Sequence, residues 1–332
     1  MRLRHWPALL ALTVALAACG SPQVLVSAGS DTHAGGGTIA ELNRIRPITD
    51  AASPALPVSV TSADGHKVTV TSADRIVPLN GSLAEIVFFL GLGDRVVGRD
   101  ASTTFEEAAH LPLVSRGHDV SAEGVLSLRP TVVLGDTRTG PPEAVDQLRD
   151  AGVPVVLFDE AWTIDDIAPR ITAVAEALGV GDLGEQLNAR TEREIAAVGT
   201  EAGDAPLRVA FLYVRGTAGV YLLGGEGSGA DAMVEAVGAV DVGKESGLQP
   251  FTPLTSEALV AAAPDVILVM DKGLESVGGV DGLLDLAGVA QTPAGRQRRI
   301  VAVEDGLLLN FGPRTPAALL ELSQELYGGT SS

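Results

Sequence analysis

Residues 121–134 and 255–268 carry one pattern twice. Ser121-Ala-Glu123-Gly-Val-Leu-Ser-Leu-Arg-Pro130-Thr-Val-Val-Leu134 aligns with Thr255-Ser-Glu257-Ala-Leu-Val-Ala-Ala-Ala-Pro264-Asp-Val-Ile-Leu268, with Glu and Pro at the same spacing. Each copy reads as a hydroxyl-capped helix, a proline break and a buried strand. A strand apolar on both faces needs a sheet covered by helices, so a chain with two such units is expected to form two related α/β lobes. Composition agrees: hydrophobic residues make up 46% of the chain and aromatics only 4%, a core of Ala, Val and Leu. At 332 residues there is room for two cores, since single cores stop growing at roughly 250–300 residues.

From Arg75 onward strands and helices alternate. Candidate strands lie at 75–78, 96–98, 131–134 and 155–158, then at 208–214, 266–270 and 300–303. Thr163 can cap a helix carrying Ile164, Ile167, Ile171, Val174 and Leu178 on one face, with Gly179 and Gly181 breaking it. A further helix over 182–201, close to 30 Å long at about 1.5 Å per residue, is expected to connect the lobes. The expected organisation is an N-terminal lobe at 58–179, a connection at 180–203, a C-terminal lobe at 204–327 and a tail at 328–332. Lobes joined once form a cleft, where small ligands bind, and a single helical joint predicts little closure. A hairpin is expected at 58–70, two alternating runs flanking Asp64-Gly65, with His66 a solvated turn residue.

The chain starts with basic Arg2 and Arg4, then an apolar stretch from Trp6 to Ala18 too short to span a bilayer, the pattern of an export signal over 1–18. It ends in Leu16-Ala17-Ala18-Cys19, which resembles the lipobox of bacterial lipoproteins. Cys19, the single cysteine, is therefore expected to be lipidated, against the plainer reading of a buried structural thiol. Residues 19–57, rich in Gly, Ser, Ala and Pro, read as a flexible tether. The fold cannot depend on disulfides within the chain. A formal charge of −19 excludes nucleic acid as main partner, and export removes two more cations.

Ile76-Val-Pro-Leu-Asn-Gly-Ser-Leu-Ala-Glu85-Ile, Leu90-Gly-Leu-Gly, Val97-Gly-Arg-Asp, the Glu123 and Glu257 segments and Phe311-Gly-Pro-Arg314 together resemble the metal-chelate substrate-binding proteins of haem, cobalamin and siderophore importers. The likeness covers residues 74–327. Gly117-His118-Asp-Val-Ser-Ala-Glu123 and Phe211-Leu-Tyr213-Val-Arg215-Gly-Thr-Ala-Gly219-Val-Tyr221 narrow it to the haemin-binding lipoproteins, particularly the actinobacterial type. The resemblance implies two Rossmann-like lobes joined by a long helix, the class III periplasmic-binding-protein fold. It further implies haem as transported ligand, His118 and Tyr213 ligating its iron from opposite lobes, Arg215 supporting Tyr213, and Glu123 and Glu257 docking on the permease of an ABC importer with its ATPase. Upstream haem carriers would be donors, and the protein would be exported and anchored by Cys19 to the outer face of the cytoplasmic membrane.

The residue chemistry fits. His118 lies in a Gly-containing loop before a capped helix, able to project from the lobe's rim. Tyr213 and Arg215 share a face of one strand, and a cation beside a tyrosine oxygen favours the ionised form that binds ferric iron. Each also has an ordinary reading: a surface histidine and a tyrosine packed in the core. Glu123 and Glu257 can simply compensate the helix dipole, for about 0.3–1 kcal/mol. Arg314 can pair with a haem propionate or sit in an exposed turn, and Tyr221 can line the pocket or pack within its sheet.

Gly225-Glu-Gly227-Ser-Gly229-Ala230 matches a dinucleotide-binding fingerprint and on its own suggests an NAD-dependent oxidoreductase. Its place in the second half, export away from cytoplasmic NAD and the lack of hydride-transfer residues weigh against that, and other common enzyme motifs are missing. The expectation is a binding protein rather than an enzyme, with a ferric siderophore or cobalamin as the alternative ligand.

Overall fold

The computed structural model describes residues 38–116, 119–199 and 205–328, Arg116 in its backbone only. The expected signal, Cys19, the tether up to residue 37, His118 and residues 329–332 lie outside the described residues.

In the N-terminal half, β1 (Val58–Thr61) and β2 (Lys67–Val70) form the expected hairpin, with Gly65 at φ +85° in the turn. His66 is exposed there, 3.2 Å from Asp64. Further on, β3 (Ile76–Pro78), β7 (Val132–Asp136) and β8 (Val155–Phe158) make a parallel sheet; β4 (Arg99–Asp100), β5 (Leu113–Arg116) and β6 (Asp119–Val120) make a mixed one, β5 running parallel to β4 and antiparallel to β6. The strand expected at 96–98 is reduced to a bridge from Val96 to Ile76, and pairing resumes at Arg99. Gly98 lies where a Cβ would meet Leu128 at 2.6 Å, the close approach at which a glycine interrupts a strand.

In the C-terminal half, β9 (Arg208–Arg215), β10 (Val220–Gly224), β11 (Val240–Asp241), β12 (Phe251–Pro253), β13 (Val266–Met270) and β14 (Ile300–Val303) form one mixed sheet. Its order is β12-β10-β9-β13-β14, with β11 also on β9. The repeat holds down to backbone angles. Helices Ala122–Ser127 and Ser256–Ala262 are capped by Ser121 and Thr255, whose hydroxyls accept from the N–H groups of Gly124 and Ala258. Each unit then turns through a left-handed residue before its proline, Arg129 at φ +48° and Ala263 at φ +44°, and enters β7 or β13. The right-handed helical region is disfavoured before proline, so a helix aimed at a strand in so few residues leaves by the left-handed one.

The stripe expected after Thr163 is buried at Ile167, Ile171, Val174 and Leu178, and Gly179 ends that helix at φ +69°. Gly181 does not extend the break. It opens the connecting helix Gly181–Val198, about 27 Å long, which packs against helices Ile167–Ala177 and Thr315–Tyr327.

Residues 38–57 correct the expected tether. Thr38 and Glu41 form a capping box on helix Ile39–Asn43, which packs on Thr315–Tyr327. The Ile48 N–H donates to Phe89 O at 2.7 Å and the Ala55 N–H to Gly179 O at 2.8 Å. An apolar residue at every third position, Ile39, Leu42, Ile45 and Ile48, joins this strap to the core. Beside it, Glu85 and Arg314, 0% and 2% exposed, meet at 2.9 and 2.7 Å; Arg314 Nη1 also donates to Asn43 Oδ1, and Asn310 donates to Glu85. This cluster ties the N-terminal lobe, the strap and the segment before the last helix together, a second bond between lobes besides the connecting helix.

Candidate functional site

A cleft of about 430 Å³ opens where the parallel strands of both lobes end. Asn80 and Ser82 follow β3, Arg138 and Thr139 follow β7, and Glu160 and Trp162 follow β8. Across from them stand Tyr213 and Arg215 at the end of β9, Met270 at the end of β13 and Asp305 after β14. Open α/β sheets bind ligands outside the carboxyl ends of their strands, where chains diverge and backbone groups face outward.

Tyr213 and Arg215 lie on one face of β9, as their spacing requires. The guanidinium carbon of Arg215 sits 4.6 Å from the centre of the Tyr213 ring, over its face. Arg215 is held there at 2.8 Å each by Val214 O and Asp305 Oδ1. Phe251 meets the Tyr213 ring edge to face, centroids 5.7 Å apart. Tyr213 is thus fixed by packing, its ring face under a positive charge. Val120 brings the segment after β5 to the cleft wall, while His118 lies outside the described residues.

Two expected pocket residues are elsewhere. Tyr221 pairs with Val214 in the β9–β10 ladder and packs in the apolar layer on the far side of the sheet, while its neighbour Leu222, opposite Tyr213, faces the cleft. Arg314 is buried on Glu85 and does not line the cleft; a carboxylate partner inside the protein already takes up its fork. The glycine-rich turn also has an internal explanation. The N–H groups of Gly227 and Gly229 donate to the Asp231 carboxylate at 2.9 Å each, filling the place a pyrophosphate would need, and β10 runs antiparallel to β9 rather than within a βαβ unit.

The structure adds residues that sequence reasoning passed over. Trp162 donates through Nε1 to Glu160 at 2.7 Å, and Arg138 stacks over its ring at 5.3 Å. Asp305 anchors Arg215. Arg170, on helix Ile167–Ala177, reaches the cleft wall though 6% exposed. Its signal was present: Arg170 is three residues after Ile167 and four before Val174, in phase with the apolar stripe. Glu123 and Glu257 are both exposed in the first turn of the two repeat helices.

A model of the family described as periplasmic binding protein matches residues 76–306, and the chain belongs to that family. It is a substrate-binding protein fold and not an enzyme. Among solved structures, the haem-binding protein HmuT is 40% identical with a TM-score of 0.81, over 86% of this chain and 94% of its own. HmuT has also been solved with single alanine substitutions of a histidine, a tyrosine and an arginine, the last two spaced two positions apart. The periplasmic haem-binding protein RhuT of Roseiflexus sp. RS-1 is 47% identical with a TM-score of 0.75, over 77% of this chain and 99% of its own. The uncharacterised ABC-transporter substrate-binding lipoprotein YvrC of Bacillus subtilis is 25% identical over 98% of this chain and 97% of its own length.

Proposed function

We propose that this chain binds haem in the interlobe cleft and delivers it to an ABC-type importer. Tyr213 and His118 ligate the iron from the two lobes, and Arg215 supports the tyrosine. The observation that carries the reading is the Tyr213 ring in the cleft under the Arg215 guanidinium. Its two-residue spacing is the one at which a tyrosine and an arginine were substituted in HmuT. Glu123 and Glu257, exposed at matching places in the repeat, serve as the acids that meet basic pockets of the permease, whose ATPase drives transport. Cys19 carries the lipid that holds the protein at the outer face of the cytoplasmic membrane, a reading that the lipoprotein YvrC supports at the level of family. Haem-carrying proteins upstream would be its donors.

Tyr213→Ala tests the assignment. Losing even an outer-shell partner of a metal ligand costs about 10–100-fold in affinity, so loss of the phenolate is expected to weaken hemin binding by about 100-fold or more. The charge-transfer absorption of an iron–phenolate should vanish with it. Hemin affinity unchanged in Tyr213→Ala, or tight binding of a ferric siderophore or cobalamin in its place, contradicts the proposal.

A further inference from the structure

Among the described cleft residues, Arg170 stands out as a buried cation whose Nε and Nη2 are left unpartnered. Its side chain is 5% exposed, and its Nε and Nη2 have no hydrogen-bond partner. The nearest anion is Asp136, 3.5 Å from Nη2. Asp136 is already engaged: Oδ2 accepts from Asn80 Nδ2 at 2.8 Å, and Oδ1 accepts from the Arg138 N–H at 3.1 Å. Asp136 therefore compensates charge without completing the fork. Burial pulls the Arg170 pKa down, with Asp136, Glu160 and Asp166 opposing.

A buried guanidinium with two nitrogens unpartnered is destabilising unless something completes it. The other cleft arginines are provided for: Arg215 by Asp305 and the Val214 carbonyl, and the more exposed Arg138 by the Trp162 face with Glu160 at 3.9 Å. Asn80, Ser82 and Ser102 share the wall with Arg170, but their donors are taken inside the protein, by Asp136, Asn80 and Asp100 in turn, which leaves the Arg170 fork as the incomplete donor set there. An incomplete planar fork suits a carboxylate, which guanidinium binds through two parallel hydrogen bonds.

We infer that Arg170 is the carboxylate-recognising residue of this cleft and receives a carboxylate of the bound ligand, a porphyrin propionate if the ligand is haem. The inference rests on the haem reading but is separable from it. Arg170 acts on the ligand's periphery and Tyr213 on its metal, while Asp136 competes weakly for the fork from 3.5 Å.

The test compares hemin with hemin dimethyl ester, whose propionates are masked. The wild-type protein should bind hemin at least tenfold more tightly than the ester. In Arg170→Met that preference should shrink to under threefold, with the iron–phenolate absorption retained in both complexes. Asp136→Asn should move the opposite way, widening the preference, because the fork loses its internal competitor. Retention of the wild-type preference in Arg170→Met overturns the inference. If Arg170→Met does not fold, an unchanged or narrowed preference in Asp136→Asn overturns it instead. A wild-type protein that binds neither compound contradicts the haem reading itself, and equal binding of both by the wild type contradicts the role of Arg170 alone.

Discussion

Tyr213, Arg215 and Arg314 mark how far single residues can be read. The first two were legible because strand periodicity alone puts residues two apart on one face, and the cleft is built where that strand ends. Arg314 was not, because its partner Glu85 lies 229 positions away and a buried ion pair leaves no local trace. Tyr221 failed for a related reason: its face depends on the register with β9, which pairs it with Val214. Arg314→Met should show what the buried pair does. Removing one partner strands the other charge at a cost of about 3–5 kcal/mol, visible as a lower urea midpoint. Replacing Glu85 by Leu in the same chain should restore most of the loss. Stability unchanged in Arg314→Met would mean that the lobes do not depend on this staple.

At the level of elements, the repeat was readable because capping hydroxyls and prolines are local signals, and the structure extends it to matching left-handed residues, Arg129 and Ala263. The strap was misread because small and polar residues between its apolar positions mask a period of three. The C-terminal helix Thr315–Tyr327, on which the strap packs, holds a titratable group of its own. Burial, helped by Asp271, Glu325 and Glu304, pushes the Glu321 carboxyl up from 4.5 to about 7. A folded pKa above the unfolded one contributes stability fully below about 4.5 and loses it as pH rises through about 7. Burial first of all raises Asp241 to about 6, the same direction. Melting temperature should therefore fall between about pH 5 and pH 8, and Glu321→Gln should flatten that fall. An unaltered slope in the variant would assign the effect elsewhere.

For the whole molecule, two lobes joined by the connecting helix and the Glu85–Arg314 cluster form a cleft with little freedom to close, so recognition falls on pre-placed groups. Under the proposed function the permease meets a shape that changes little, and the exposed Glu123 and Glu257 are the proposed handle. Replacing Glu123 and Glu257 together by Lys should abolish haem-dependent growth through the importer while hemin affinity stays within about twofold, the split expected for exposed rim charges. Normal uptake by that double variant would remove the docking role.

Everything turns on whether the cleft holds an iron porphyrin, and a spectrophotometric titration of the mature protein with hemin reads that directly. The account predicts saturation at a defined stoichiometry, with a shifted Soret band and an iron–phenolate absorption that Tyr213→Ala removes. A spectrum equal to the sum of free hemin and protein at every addition would contradict it.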